Sequence, residues 1–179
     1  MDLIDFLTQR GLVESLSSPD LRDHLRKGSI SLYLGFDPTS DSLHIGHLQG
    51  LVLLGWFRRF GHNPIALVGG ATAAVGDPSG KSVERPLLSQ EQIRENVKGI
   101  GVQIEKIVGG DLPTVNNYEW FASFSLLQFL REVGRYFRVG PMLGKESVRA
   151  RLQSDEGLSF TEFTYQALQG YDFYHLFQN

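Results

Sequence analysis

Residues 30–50, ISLYLGFDPTSDSLHIGHLQG, are the stretch of sequence that decides the fold. The apolar run at 30–34 predicts a short buried strand. A polar loop, DPTSDS, follows it, and each residue of the Ser-Asp-Ser segment at 40–42 suits the N-cap of a helix. From Leu43 the apolar residues repeat at helical spacing to about residue 60, where Gly61 is expected to end the helix. The stretch therefore predicts a strand, a polar loop and a helix in direct succession.

The following segment repeats this order. A second apolar strand is predicted at 65–68, a loop-rich region at 71–86, and a helix that begins after the capping-box pair Ser89 and Gln92 and runs to about Ile107. Strands that alternate with helices favour an α/β fold, here a Rossmann-like, mostly parallel sheet with flanking helices. Ligands of such sheets bind beyond the carboxyl ends of the strands, so we expect the site at the loops 35–42 and 69–82.

Helices are expected at both ends of the chain. The apolar residues of segment 1–27 recur at helical spacing, and further helices are predicted at 124–137 and 160–177. Val115 is predicted to lie on a third strand. The predicted organisation is an N-terminal helical segment at 1–28 and a nucleotide-binding domain at 29–179.

Composition favours an ordinary soluble domain. The 179 residues are 41% hydrophobic, and 17 Lys and Arg against 20 Asp and Glu give a net charge of −3, which argues against non-specific binding of nucleic acid. The chain has no cysteine, which excludes disulfides, thiolate metal sites and cysteine nucleophiles. No apolar run reaches the ~18–20 residues of a membrane span, and the N-terminus does not resemble a basic leader. We therefore expect a cytoplasmic protein without membrane contact.

The first candidate motif is His44-Ile45-Gly46-His47, at the predicted start of the helix after the first strand. The i, i+3 spacing places both imidazoles on one face, beside the helix end that attracts anions. Two imidazole donors there form a phosphate clamp, and Gly46 lets a flat ligand approach the backbone. The alternative is a pair of surface histidines near a cap. No third ligand accompanies them, so no metal site is predicted.

The second candidate is the loop GGATAAVGDPSGK at 69–81. It approaches the Walker A pattern but departs from it, since Val75 stands where a glycine is required. Lys81 and Arg85 carry charges suited to phosphate groups. The alternative is a solvated surface loop.

The third candidate is a polar stripe on the last helix, formed by Tyr165, Gln169 and Asp172 at offsets of four and three. The simplest interpretation is the solvent face of an amphipathic helix. The functional interpretation is a strip that binds a small ligand with an ammonium group and a hydroxyl, for which a carboxylate, an amide and a phenol are suitable partners.

Taken together, these segments resemble the catalytic domain of the bacterial-type tyrosyl-tRNA synthetases, which are class I aminoacyl-tRNA synthetases. The matching stretches are YLGFDPT at 33–39, HIGH at 44–47, GGATAAVGDPSGK at 69–81, NNYEW at 116–120, KESVRARL at 145–152 and SFTEFTYQALQGYDF at 159–173. The HIGH tetrapeptide is shared with other class I synthetases and with nucleotidylyltransferases. The combination of Tyr33 with the 159–173 block is far more specific.

The resemblance implies a role for each candidate residue. The phenol hydroxyl of a tyrosine substrate would bind Tyr33 and Asp172, and its ammonium group would bind Asp77, Tyr165 and Gln169. The adenylate would lie along Leu34, Gly35 and Asp37. The ATP phosphates and ribose would contact Thr39, His44, Gly46 and His47, and the leaving pyrophosphate would contact Lys81 and Arg85. Thr39, both histidines, Lys81 and Arg85 form the implied catalytic set.

The resemblance also implies an activity and partners. L-tyrosine would be activated by ATP, which enters with Mg²⁺, to tyrosyl-adenylate, and then transferred to tRNA(Tyr), with no tightly bound cofactor. The implied assembly is a homodimer whose interface includes residues 121–137 and 142–160, within a connective region at about 120–160. The rival interpretations are an HxGH-type small-molecule nucleotidylyltransferase and a non-catalytic α/β interaction module.

Two positions depart from the family pattern. Leu34 stands where relatives often carry a small residue beside the ribose, and Gly50 stands where they often carry Thr or Pro. The second half of the family's catalytic domain, its lysine loop and its tRNA-binding domains are not recognisable. We therefore expect a portion of a longer enzyme that is inactive by itself.

Overall fold

A parallel sheet organises the fold in the computed structural model, which describes residues 2–79, 87–109 and 112–179. Strand β1 (Ser31–Phe36) pairs in parallel with β2 (Asn63–Val68), in a register that joins Ser31 to Asn63 and Phe36 to Val68. Strand β3 (Thr114–Asn116) lies on the other side of β2. The predicted α/β class is confirmed.

Helices connect and follow the strands. In chain order they are α1 (Leu3–Gln9), α2 (Leu21–Arg26), α3 (Ile45–Arg59), α4 (Gly70–Val75), α5 (Gln90–Val108), α6 (Tyr118–Phe121), α7 (Leu126–Glu132), a 3-10 turn (Gly134–Tyr136), α8 (Val139–Gly144), α9 (Glu146–Leu152) and α10 (Phe160–Gln178). None of the helices in the described part of the chain has the length and apolar character needed to cross a membrane.

The chain divides into two compact units. The first contains Met1–Phe36, Ser40–Val68 and Asn96–Val115, and the second contains Asp37–Thr39, Gly69–Glu95 and Asn116–Asn179. The core of the first unit is a cluster of apolar side chains from β1, α3, β2, α5 and the segment before β3, namely Phe36, Leu51, Leu54, Ala66, Val68, Ile100, Ile104 and Leu112. The predicted division at residue 28 stays a prediction.

The N-terminal segment is less helical than its pattern predicts. Residues 10–20 separate α1 from α2 and are not helical. Gly11 has a φ of 68°, a left-handed conformation that ends α1 and that glycine adopts without steric cost. Asp2 caps the other end of α1, because its Oδ1 accepts a hydrogen bond from the backbone N–H of Asp5 at 2.8 Å.

The predicted cap of α3 at residues 40–42 is wrong, because His44 is the N-cap. The preceding loop is held instead by the Gln103 side chain of α5. Its Oε1 accepts a hydrogen bond from Leu43 N–H at 3.0 Å, and its Nε2 donates to the Asp41 carbonyl at 3.3 Å. Since these partners lie about sixty residues away, no local pattern could indicate this arrangement.

Two further boundaries differ from prediction. The region expected to be loop-rich contains α4, whose first N–H groups bind two asparagines at the end of β3 and directly after it. Gly70 N–H donates to Asn116 Oδ1 at 3.2 Å, and Ala71 N–H donates to Asn117 Oδ1 at 2.7 Å. The aromatic-rich segment 124–137 is helical only in α7 and the 3-10 turn after it. The capping box of Ser89 before α5 is confirmed.

Candidate active site

In the second unit, Tyr165 of α10 lies against a carboxylate from the loop after β1. Its hydroxyl donates to Asp37 Oδ2 at 3.0 Å, while the Thr72 hydroxyl of α4 donates to Asp37 Oδ1 at 2.6 Å. Burial raises the pKa of Tyr165 far above its ordinary value, and the charges of Asp37, Asp77 and Asp172 raise it further. The phenol therefore stays protonated and donates a hydrogen bond to Asp37. The lone pairs of the Tyr165 oxygen can then accept a hydrogen bond from a ligand.

Asp172 lies two turns further along α10 and is only 2% exposed. Its Oδ1 accepts from Trp120 Nε1 at 2.9 Å and its Oδ2 from Asn117 Nδ2 at 3.2 Å. Burial raises the pKa of Asp172 to about 6, with a smaller contribution from the charge of Asp37, although the two hydrogen bonds oppose the increase. A carboxylate has about four acceptor positions, so this one can still accept a hydrogen bond from a ligand hydroxyl.

Asn117 connects this network and is fully buried. Its Oδ1 accepts from the backbone of α4, as described above, and its Nδ2 also lies 3.2 Å from the Thr72 hydroxyl. Sequence reasoning assigned no role to Asn117 or Thr72, and it included Trp120 in the matching stretch at 116–120. The position of Asn117 directly after β3 is the signal that could have revealed it, because polar residues beyond the carboxyl ends of strands often serve sites in α/β folds.

The second unit thus collects negative charge around one phenol. Asp37, Asp77 and Asp172 all act on the pKa of Tyr165, and Asp77 is half-buried. Gln169 is exposed one helical turn after Tyr165. Carboxylates with an accepting phenol oxygen form a suitable environment for an ammonium group, which offers three donors and carries a positive charge.

In the first unit, the two histidines form the cap of α3. The Nδ1 atom of His44 accepts from Gly46 N–H at 3.1 Å, and the Nδ1 atom of His47 accepts from His44 N–H at 3.2 Å. The rings stack with centroids 3.7 Å apart and an interplanar angle of 16°. Burial lowers the pKa of His47, and the neighbouring His44 lowers it further. A Cβ at Gly46 would lie 3.0 Å from the His44 ring, so the ring would have to shift slightly to accept a side chain there.

The two departures from the family pattern lie against each other in the first unit. A Cβ built at Gly50 of α3 would lie 2.5 Å from Leu34 Cδ2 and 3.4 Å from the Phe36 ring. Leu34 also packs against the core cluster of this unit. The leucine therefore occupies the space that a side chain at position 50 would need.

The site residues predicted from the sequence divide between the units. The first unit holds Tyr33, Leu34, Gly35, His44, Gly46 and His47, and the second holds Asp37, Thr39, Asp77, Tyr165, Gln169 and Asp172. Thr39 is exposed, and its N–H donates to the Asp37 carbonyl at 2.8 Å. Lys81 and Arg85 lie outside the described residues. The role of each residue stays a prediction.

A family model for the class I tRNA synthetases of the W and Y type matches residues 25–179. The chain belongs to this family. The resemblance drawn from the HIGH tetrapeptide and the 159–173 block is therefore confirmed.

Similar curated proteins carry more specific names. The chain is 51% identical to a tyrosine–tRNA ligase of Protochlamydia amoebophila, over 99% of this chain and 43% of that protein. It is 49% identical to the chloroplastic/mitochondrial tyrosine–tRNA ligase of Arabidopsis thaliana, over 99% of this chain and 37% of that protein. The chain thus spans less than half the length of these curated relatives.

Solved structures of tyrosyl-tRNA synthetases share the fold of this chain. A C-terminally truncated mitochondrial tyrosyl-tRNA synthetase of Aspergillus nidulans matches with a TM-score of 0.84 and 31% identity, over 98% of this chain and 54% of that one. A tyrosyl-tRNA synthetase of Pyrococcus horikoshii, complexed with L-tyrosine, matches with a TM-score of 0.67. At 19% identity over 98% of this chain and 48% of that one, the second likeness shows the fold alone.

Proposed function

We propose that this chain is the tyrosine- and ATP-binding part of a tyrosine–tRNA ligase, which activates L-tyrosine with ATP and transfers it to tRNA(Tyr). The observation that carries the proposal is the buried carboxylate of Asp172, held by Asn117 and Trp120, on the same helix as the Tyr165–Asp37 pair. An enclosed acceptor and a negatively charged environment suit the hydroxyl and ammonium ends of tyrosine.

Tyrosine is recognised at its two polar ends. Asp172 accepts the phenol hydroxyl of the substrate, with Tyr33 as its second partner. The substrate ammonium group binds Asp77, the oxygen of Tyr165 and Gln169. This assignment is supported by the hydrogen bond from Tyr165 to Asp37, which directs the phenol proton away and leaves the oxygen as an acceptor.

ATP is the second substrate, and it enters with Mg²⁺. Leu34, Gly35 and Asp37 line the adenylate, and further residues contact the phosphates and ribose: Thr39, His44, Gly46, His47, Lys81 and Arg85. A carboxylate oxygen of tyrosine attacks the α-phosphorus, and the bond from that phosphorus to the pyrophosphate oxygen breaks. The nucleophile is already an anion, so the step needs positioning and charge stabilisation rather than a general base.

The proposal includes assembly and location. The second unit exposes large apolar side chains on α7, on the 3-10 turn and at the start of α10, namely Leu126, Leu127, Tyr136 and Phe160. Apolar surface of this kind supports a homodimer that buries it. We place the protein in the cytoplasm and without membrane contact.

Equilibrium dialysis of the 179-residue chain against labelled tyrosine and phenylalanine tests the proposal. We expect weak binding that favours tyrosine, and we expect Asp172→Asn to reduce that preference by about ten- to a hundred-fold, the worth of a hydrogen bond to a charged group. Asp155→Asn, at an exposed position, is the matched control. Equal binding of the two amino acids would contradict the proposal, and ATP binding without tyrosine binding would favour a nucleotidylyltransferase.

A further inference from the structure

Each imidazole at the start of α3 has one nitrogen committed to the backbone. Gly46 N–H donates to Nδ1 of His44, and His44 N–H donates to Nδ1 of His47. A neutral imidazole has one donor nitrogen and one acceptor nitrogen. If Nδ1 accepts, the proton must reside on Nε2, so the backbone selects the tautomer of both rings.

We propose that His44 and His47 are held as neutral Nε2–H tautomers, so that the pair offers two uncharged N–H donors and loses its cap on α3 when protonated. A proton on Nδ1 would replace the lone pair that accepts the backbone N–H. Neither histidine can therefore carry a positive charge while its Nδ1 atom accepts the backbone hydrogen bond that caps α3. That these donors face ATP phosphates rests on the proposed function, whereas the tautomers and the cap do not.

The surroundings of His47 oppose its protonation. Two stacked imidazolium rings at 3.7 Å would repel each other, so the first proton disfavours the second. The Phe36 ring of β1 lies nearly perpendicular to the His47 ring, with centroids 6.0 Å apart. Burial lowers the pKa of His47, and among the described residues a charge on His44 would lower it further. No carboxylate contributes to that shift among these residues.

The loop before α3 keeps this geometry in place. The backbone on either side of Ser42 is hydrogen-bonded to Gln103, and Gly99 of α5 lies so close to the loop that a Cβ there would be 2.4 Å from the Asp41 carbonyl. The His44 N–H follows directly on this anchored segment. Its direction toward His47 is therefore fixed by the loop rather than by the histidines themselves.

Long-range ¹H–¹⁵N spectra of the labelled chain, without nucleotide, test the tautomers directly. At a pH well above the ordinary histidine pKa of about 6.5, we expect both rings to show a pyridine-type nitrogen at Nδ1 and a pyrrole-type nitrogen at Nε2. His24 of α2 is exposed and serves as the reference for an unconstrained ring. A protonated Nδ1 in either member of the pair overturns the proposal.

Amide hydrogen exchange tests the link between charge and cap. Amide exchange is base-catalysed, so it slows as the pH falls. As the pair becomes protonated, we expect the amides of Gly46 and His44 to exchange about five-fold faster than this pH effect alone predicts. The factor corresponds to the loss of a cap worth ~1 kcal/mol. The variants His44→Asn and His47→Gln keep a cap acceptor that does not titrate. We expect them to abolish this excess, and an excess that persists in the double variant contradicts the proposal.

The two experiments separate this inference from the proposed function. The spectra and exchange rates require neither tyrosine nor ATP. If the tautomers are as stated and tyrosine does not bind, the proposed function fails alone. If tyrosine binds with the expected preference and either ring carries its proton on Nδ1, the inference fails alone.

Discussion

Glu162→Gln tests a deeply enclosed ion pair of the second unit. Arg151 and Glu162 are each 2% exposed, with Nη1–Oε1 and Nη2–Oε2 distances of 2.7 and 2.9 Å. Arg151 Nε also donates to the Gly157 carbonyl at 3.2 Å, so the pair ties α9 and the following loop to the first turn of α10. Glutamine has the same size and opens no cavity, but it removes the negative charge that faces a buried guanidinium. We expect a loss of about 3–5 kcal/mol in the free energy of unfolding.

Urea unfolding, followed by the fluorescence of a tryptophan in the second unit, measures this loss. The chain has two tryptophans, and in a Trp56→Phe background Trp120 reports on this unit. At an m-value of ~2 kcal/mol/M, the midpoint should fall by about 2 M. Glu146→Gln, at an exposed position of α9, is the control and should cost less than about 1 kcal/mol.

The double variant Arg151→Met/Glu162→Leu separates lost charge balance from lost packing. Replacing both partners of a buried pair by apolar residues is often neutral or stabilising, so we expect it to recover most of the midpoint. A single variant within about 1 kcal/mol of the parent refutes the reasoning. So does a double variant at least as unstable as the single one.

Three further changes test other parts of the molecule. Gly99→Ala places a Cβ 2.4 Å from the Asp41 carbonyl and should destabilise the fold by about 1–3 kcal/mol, whereas Gly101→Ala, with open space around it, should stabilise the fold by about 0.5–1 kcal/mol. Urea unfolding followed by circular dichroism compares the two variants. Equal effects of the two substitutions would contradict the packing of Gly99 against the loop. The raised pKa of Asp172 means that the folded state binds its proton more tightly than the unfolded state. This contribution to the free energy of unfolding is therefore present below the ordinary pKa of 3.8 and lost as the pH rises through about 6. If Asp172→Asn leaves the pH dependence of the free energy of unfolding unchanged, Asp172 makes no such contribution. Phe160→Glu, at a side chain 73% exposed, should weaken self-association in sedimentation, and a parent chain that stays monomeric at high concentration counts against the dimer.

The strands and the cap of α5 could be predicted because their signals are local. An apolar run beside a glycine or proline marks β1 and β2, and a serine three residues before a glutamine marks the start of α5. The start of α4 could not be predicted in this way. Its first amides are satisfied by Asn116 and Asn117, about 46 residues further along the chain. The cap of α3 failed for the same reason, because Gln103 determines the conformation of the loop before it.

The candidate site shows the same limit. The spacing of Tyr165 and Asp172 places them on one helix face, and that periodicity is visible in the sequence. What makes Asp172 special is its burial against Trp120 and Asn117, which lie 52 and 55 residues away. Periodicity alone favoured a solvent-exposed stripe, whereas in the structure one member of the stripe is buried and another is exposed.

Leu34 and Gly50 illustrate how two apparent departures become one feature in the structure. A glycine inside a helix costs about 0.5–1 kcal/mol relative to alanine, so Gly50 requires a reason. Gly55, in the same helix, has nothing within 4 Å of its missing Cβ, but at Gly50 that position is 2.5 Å from Leu34 Cδ2. The Leu34 side chain takes this position because residue 50 has no Cβ. The packing of Leu34 against the core cluster offsets part of the free energy that Gly50 costs the helix. A side chain at position 50 would therefore require the Leu34 Cδ2 methyl group to move.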